Sequence, residues 1–232
     1  MKRVGAVLMV VGCVAFGCSD DTSNTGGSGG SGGAGGDPAT SGGGSGGAGG
    51  SDLLAEAAAN VVGDWVDENP CEALPTGPDS TAYLGLAFSF DGTRWTSLIS
   101  AYADPQCSVG LFDAEIGGTY TFEEASTAVV GAIDTQFSID TITVTALNDQ
   151  MAGAFSQQMC GGNANWTVGA AGDVSDTGCL FIPSVSACPA EYDLVQVDTT
   201  ELRFGQRPAM GDICDPARRP GALSTSTFVR AN

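Results

Sequence analysis

Eight cysteines, no histidine and a single lysine set the chemistry open to this chain. Without histidine, neither a Ser-His-Asp triad nor a His-ligated zinc can form. The lysine, Lys2, lies at the extreme N-terminus, so a processed domain would have no Schiff-base amine. Carboxylate, tyrosine and thiol chemistry remain, and no pair of carboxylates sits in a recognisable catalytic motif. A carboxylate-dependent hydrolase stays open because its two acids need not be close in sequence. Neither a cofactor nor a metal is expected. There is no Cys-x-x-Cys, and Asp198, Asp212 and Asp215 do not follow EF-hand spacing.

The cysteines divide by position. Cys18 ends Ala15-Phe16-Gly17-Cys18, which follows Lys2-Arg3 and an apolar run from Val4 to Phe16. That run is shorter than the ~20 residues of a bilayer span and suits the core of an export signal. The four residues resemble the site where a bacterial lipoprotein signal is cut before an acylated cysteine. Ala15 and Phe16 depart from the usual pattern. Val10-Val11-Gly12-Cys13 fits it better residue by residue, but would leave a very short apolar run and retain apolar residues after the anchor. Residues 1–17 are therefore expected to be the signal and Cys18 the lipidation site. Several acyl chains on one cysteine make a stable anchor, so the membrane is a partner through it. Ser19 after the anchor points to the outer membrane of a bacterial cell envelope, on its periplasmic side or at the cell surface.

Six cysteines remain: Cys71, Cys107, Cys160, Cys179, Cys188 and Cys214. An even count in an exported chain reads as three disulfides, with 15 possible pairings. The local pattern Cys71–Cys107, Cys160–Cys179 and Cys188–Cys214 is the expected one, each link contributing ~3 kcal/mol.

Between anchor and domain, residues 18–51 hold 15 of the 35 glycines. Such a stretch cannot bury enough apolar surface to order itself and reads as a tether spanning roughly 30 Å. Residues 52–232 are long enough for one domain. They carry 24 acidic residues against 6 arginines, a formal charge of −18. Nucleic acid and anionic headgroups would be repelled, so no nucleic-acid partner is expected.

Within the domain, Asp52 to Asn60 is Ala/Leu-rich, follows Ser51 as a cap, and predicts a short helix. Val61 to Val66 follows, with Gly63-Asp64-Trp65. In Tyr83 to Phe90 the pattern alternates, with Leu84, Leu86, Phe88 and Phe90 on one face. Asp91-Gly92 predicts a tight hairpin into Thr93–Tyr102. Further strands are predicted at 119–123, 126–134, 136–147, 166–168, 193–198, 201–206 and 225–230. Met151 to Met159 is either a short helix or an irregular edge. The predicted class is all-β with minor α: an antiparallel, barrel-like or strongly bent sheet with one or two short helices, disulfide-bonded.

Two resemblances bear on function. Gly63-x-Trp65 on the first strand, with Arg230 on the last, resembles the lipocalin signature, in which the arginine packs over the tryptophan. Read on its own, Trp65 is a core residue at a strand start. A broader likeness rests on Gly63-x-Trp65, Cys71-Glu72, Tyr102-x-Asp104-Pro105-x-Cys107, Gly118-x-Tyr120, Cys160-Gly161 and Trp166. It continues through Gly178-Cys179, Glu191-Tyr192-Asp193-Leu194-Val195, Leu202-x-Phe204-Gly205-x-Arg207-Pro208 and Arg219-Pro220. In order and spacing these resemble the family named for the protein down-regulated by adenomatosis polyposis coli, whose animal members are membrane-bound Wnt inhibitors. The resemblance implies a bent β domain whose concave apolar face takes up acyl chains. This chain is expected to depart from it in having one such domain and an N-terminal anchor.

Binding of a lipid or other apolar small molecule, without catalysis, is the function this points to. Leu84, Leu86, Phe88 and Phe90 would line the site, with Trp65 and Trp95 near its mouth. Arg203 and Arg207 would hold a ligand carboxylate or salt-bridge their neighbours. The alternatives are a structural or interaction surface lipoprotein whose apolar face is ordinary core, and the hydrolase.

Overall fold

The computed structural model describes residues 48–77, 80–207 and 212–231. The expected signal, Cys13, Cys18 and residues 18–47 of the tether lie outside them.

Ten strands form one antiparallel sheet: β1 Gly63–Asp67, β2 Glu72–Gly77, β3 Ser80–Phe90, β4 Arg94–Tyr102, β5 Gly110–Ala125, β6 Ile133–Ala146, β7 Ala171–Asp173, β8 Ala190–Val197, β9 Glu201–Phe204 and β10 Phe228–Arg230. The sheet closes through β1-β3-β4-β5-β6-β8-β9-β10 and back to β1, an eight-stranded barrel. Closure satisfies the backbone groups that an open edge would expose. β2 and β7 do not add to the count. β2 continues the line of β1 along the first half of β3, and β7 continues that of β8 along the second half of β6. At that end the wall is not closed by hydrogen bonds among the described strands, because β2 pairs only with β3 and β7 only with β6. The barrel thus has a closed end and a splayed end.

Alternation decides what fills each end. Phe88, Phe90, Trp95, Tyr120, Phe137, Phe204 and Phe228 form a continuous aromatic cluster in the closed half, with Phe88 4.5 Å from Phe204 and 5.0 Å from Phe228. Offset and edge-on pairs at these spacings contribute beyond their area burial. The splayed half is covered by a helix, α2 Asp149–Gln157, which buries Ala152 and Phe155. Asn148 caps it, accepting from the Met151 N–H at 2.9 Å while its own amide donates to the Gly110 carbonyl. One residue therefore starts the helix and fixes it to β5; such a cap contributes ~1 kcal/mol.

The cysteines pair as Cys71–Cys107, Cys160–Cys179 and Cys188–Cys214. Several local expectations are corrected. The first helix, α1, runs Ala48–Val61, so Ser51 lies inside it and Gly49 and Gly50 join its first turn, where glycine costs least. The tight hairpin is one residue later: the Asp91 N–H donates to the Arg94 carbonyl, leaving Gly92 and Thr93 as its centre, with Gly92 at φ +96°. The Asp91 carboxylate accepts from the Thr93 and Arg94 N–H groups and so cannot sit at the turn's centre. Residues 126–132 form a connection between β5 and β6. Residues 166–168 are not a strand, because Trp166 turns inward onto Gly172 and donates its indole N–H to the Cys160 carbonyl.

Candidate functional site

The splayed end holds a cavity of about 520 Å³. Its floor is the inner face of β2–β5, through Leu74, Leu84, Ala101 and Phe112; Met151 of α2 and the Leu180–Phe181 tip cover it. Polar atoms at its rim come from Thr81, Gln150 and Gln158, all uncharged. Its volume is within the range of small-molecule sites, and its lining is dominantly apolar, as such sites are.

The tip is built by local chemistry. Cys179 and Ile182 exchange both backbone hydrogen bonds at 2.9 Å, so Leu180 and Phe181 are the two residues of a closed turn. Gly178, at φ +70°, enters that turn where a Cβ would stand 2.5 Å from the Ile182 carbonyl oxygen. The Cys160–Cys179 disulfide fastens the turn to the end of α2. Leu180 itself is held at φ +54°, a left-handed conformation that costs a branched residue roughly 1–2 kcal/mol. The surrounding links over-determine it, and the result is two large apolar side chains aimed at the cavity.

Below Phe181, along the same strands, lies a smaller cavity of about 110 Å³, lined by Leu86, Phe88, Trp95, Ile99 and Ile116 and bounded by Glu191 and Arg207. Arg207 donates from both terminal nitrogens to the two Glu191 oxygens. Asp193, fully buried beside them, accepts from the Leu194 and Gly205 N–H groups at 2.7 and 2.9 Å. Burial pushes the Asp193 carboxyl up to about 6, against the opposing pull of Arg207. Burial also pulls the Arg207 guanidinium down, but Glu191 and Asp193 outweigh it and hold the group above its ordinary value.

The residues expected to form the site are divided by this geometry. Leu84 lines the large cavity; Leu86, Phe88 and Trp95 line the small one. Phe90 is core, 5.2 Å from the Tyr120 ring. Trp65 and Trp95, expected near the mouth, lie toward the closed end: their strand partners are Phe88 and Phe90, away from the Leu84 end of β3. Arg203 is on the outer surface, paired with Glu201, because its neighbours Leu202 and Phe204 take the inward positions. Arg207 does reach the interior, as half of an ion pair. Arg219 bridges Glu123 and Asp134 on the outer face, and Arg218 pairs with Asp212.

Leu74, Leu111, Phe112, Met151, Leu180 and Phe181 went unsuspected as lining residues. The 110–125 strand would have flagged Phe112 by its alternation, but nothing periodic marks a two-residue turn between cysteines. Among the described residues, no group of three or more His, Cys, Asp or Glu is placed to hold a metal ion.

A family model described as adenomatosis polyposis coli down-regulated 1 matches residues 50–176, more than half the chain. The chain belongs to the adenomatosis polyposis coli down-regulated 1 family. The matched stretch runs from α1 through β7 and includes every strand of the large cavity's floor. The strands that close this family member's barrel, β8 to β10, lie beyond it and pair with β6 and β1 inside it. Glu191, Asp193 and Arg207 are therefore outside the matched stretch, as is the Leu180–Phe181 turn.

Proposed function

We propose that this protein is an exported, lipid-anchored member of its family whose barrel binds an acyl chain or similar apolar ligand without catalysing a reaction. The observation that carries the reading is the apolar cavity of about 520 Å³ at the splayed end, roofed by a disulfide-fastened turn with a left-handed leucine. Strain held in place over a cavity is characteristic of ligand sites. A purely structural domain gains nothing from it. The uncharged rim and the formal charge of −18 over residues 52–232 favour a ligand with a neutral or cationic head over an anionic one. The inward carboxylates, half-buried Glu191 and buried Asp193, favour binding over hydrolysis. Glu191 is engaged at both oxygens by Arg207, and Asp193 Oδ1 by two backbone N–H groups.

The anchor, the tether and the bacterial outer membrane belong to the same proposal and rest on the sequence around Cys18. The test uses the full chain with Cys13→Ser and Cys18→Ser, produced in an oxidising compartment without detergent. Such a protein has no acyl anchor of its own, so a stoichiometric lipid found by mass spectrometry must occupy the domain. Absence of lipid, together with failure to take up an added fluorescent acyl probe, would leave a structural surface domain as the better account.

A further inference from the structure

The two cavities are stacked along the same strands. On β3 the inward residues Ala82 and Leu84 face the outer cavity, and Leu86 and Phe88 face the inner one. On β4, Ala101 belongs to the outer cavity, with Ala103 just past the strand's end, and Ile99, Ser97 and Trp95 belong to the inner. On β5, Phe112 lines the first and Ile116 the second. Consecutive inward positions are about 7 Å apart, so β3 and β4 pass from one cavity to the next within a single alternation step and β5 within two. Phe181 lines both cavities, and the aromatic side chain of that turn stands between them.

We infer that Phe181 is the length gauge of the ligand site: its ring stops an acyl chain that enters methyl end first, and sets the chain length bound best. The inference rests on the binding reading above and adds the specificity determinant to it. Three features of the turn fit a gauge. Its base is fixed by the Cys179–Ile182 hydrogen bonds and the Cys160–Cys179 disulfide, so the ring cannot drift with the loop. The ring is only partly buried and packs on Phe112, centroids 5.9 Å apart, so it has one firm wall and one open side. Beyond it lies apolar space of about 110 Å³ that ends on the Glu191–Arg207 ion pair, a floor no methyl group would displace.

Removing the ring would join the two spaces into one longer groove. Each further buried methylene should then add about fourfold in affinity until the ion pair is reached. The experiment measures displacement of a fluorescent acyl probe by monoacylglycerols from octanoyl to arachidoyl, whose heads are uncharged. Full-chain protein carrying Cys13→Ser and Cys18→Ser is compared with the same protein bearing Phe181→Ala or Phe181→Trp. The expected result is an optimum several carbons longer for Phe181→Ala and shorter for Phe181→Trp, with the longest chains gaining more than tenfold on the alanine variant. Phe181→Trp keeps the test decisive if the alanine variant fails to fold. Binding by all three proteins with one unchanged optimum would overturn the gauge while leaving the binding reading intact. No binding of any chain length by the parent protein would overturn both.

Discussion

The Arg230 guanidinium lies over the indole of Trp65, 4.4 Å from the ring centroid. Trp65 is completely buried and Arg230 exposed, so the contact marks where the closed end of the barrel meets solvent. The same guanidinium donates to the carbonyls of Asn60, Val62 and Thr199. These belong to α1, to the α1–β1 link and to the β8–β9 turn. One side chain thus ties three segments across the seam where β1 pairs with β10.

Gly63 lies beneath that guanidinium at φ +126°, and a Cβ there would stand 2.6 Å from Arg230 Nη1. Arg230→Ala should lower stability by about 1–2 kcal/mol, from the lost carbonyl bonds and ring contact. Gly63→Ala should destabilise as well, by displacing the guanidinium and straining the backbone. Because both act on one contact, the double variant should lose less than the sum of the two. Denaturant midpoints measured under non-reducing conditions decide this. Strict additivity would mean that the glycine is not kept for the arginine.

Asp193 makes stability depend on pH. Its folded-state value of about 6 is above the ordinary carboxyl value of 3.8, chiefly through burial. The native state therefore holds a proton that the unfolded chain releases. The associated stability is fully present below about pH 4 and is lost as pH rises through about 6. Asp67 and Glu72, also raised mainly by burial, act in the same direction, whereas exposed Asp91 and Asp198 are lowered, chiefly by backbone hydrogen bonds, and oppose it. Comparison with Asp193→Asn isolates the one group. The parent should lose about 2–3 kcal/mol relative to the variant between pH 4 and pH 7.5. Parallel pH profiles would show that Asp193 is not the group responsible.

Much of the barrel was legible because its inward residues alternate strictly. Leu84, Leu86, Phe88 and Phe90 announce β3, and the Gly63, Trp65 and Arg230 positions come together across the closed end. Other elements lack a readable pattern. β2 contains Pro75 and Gly77, residues that ordinarily argue against a strand; it is tolerated because on one side it pairs with none of the described strands. The strand expected at 119–123 starts after Gly117-Gly118, but that pair lies within β5 at a bulge, where a Cβ on Gly118 would meet the Ser138 carbonyl oxygen at 1.8 Å. The site was the hardest part to foresee. Its floor follows from strand alternation and the Cys160–Cys179 link was the expected one, but its roof is a four-residue turn that no periodicity marks.

The Cys160–Cys179 link should matter more for binding than for the barrel. It fastens the Leu180–Phe181 turn to the end of α2, while the barrel ladder from β3 to β6 runs without it. Cys160→Ser with Cys179→Ser should cost about 3 kcal/mol and leave far-ultraviolet circular dichroism unchanged. Amide hydrogen exchange should rise across 175–189 and affinity for an acyl probe should fall. Exchange rising equally in β4 and β5 would make the disulfide a global staple instead.

Ala103 offers the cleanest separation of binding from stability, being exposed and yet part of the large cavity's lining. A large side chain there adds bulk at the mouth without entering the packed core, so Ala103→Trp should change stability by no more than about 0.5 kcal/mol. It should nonetheless block entry and lower acyl-probe affinity at least tenfold. Val130, 96% exposed on the connection between β5 and β6, provides the control. Val130→Trp adds a similar indole far from the cavity and should leave affinity as it is. Equal loss in both variants would point to a nonspecific effect of an exposed indole. Undiminished uptake by a folded Ala103→Trp protein would place the entrance somewhere other than the splayed end.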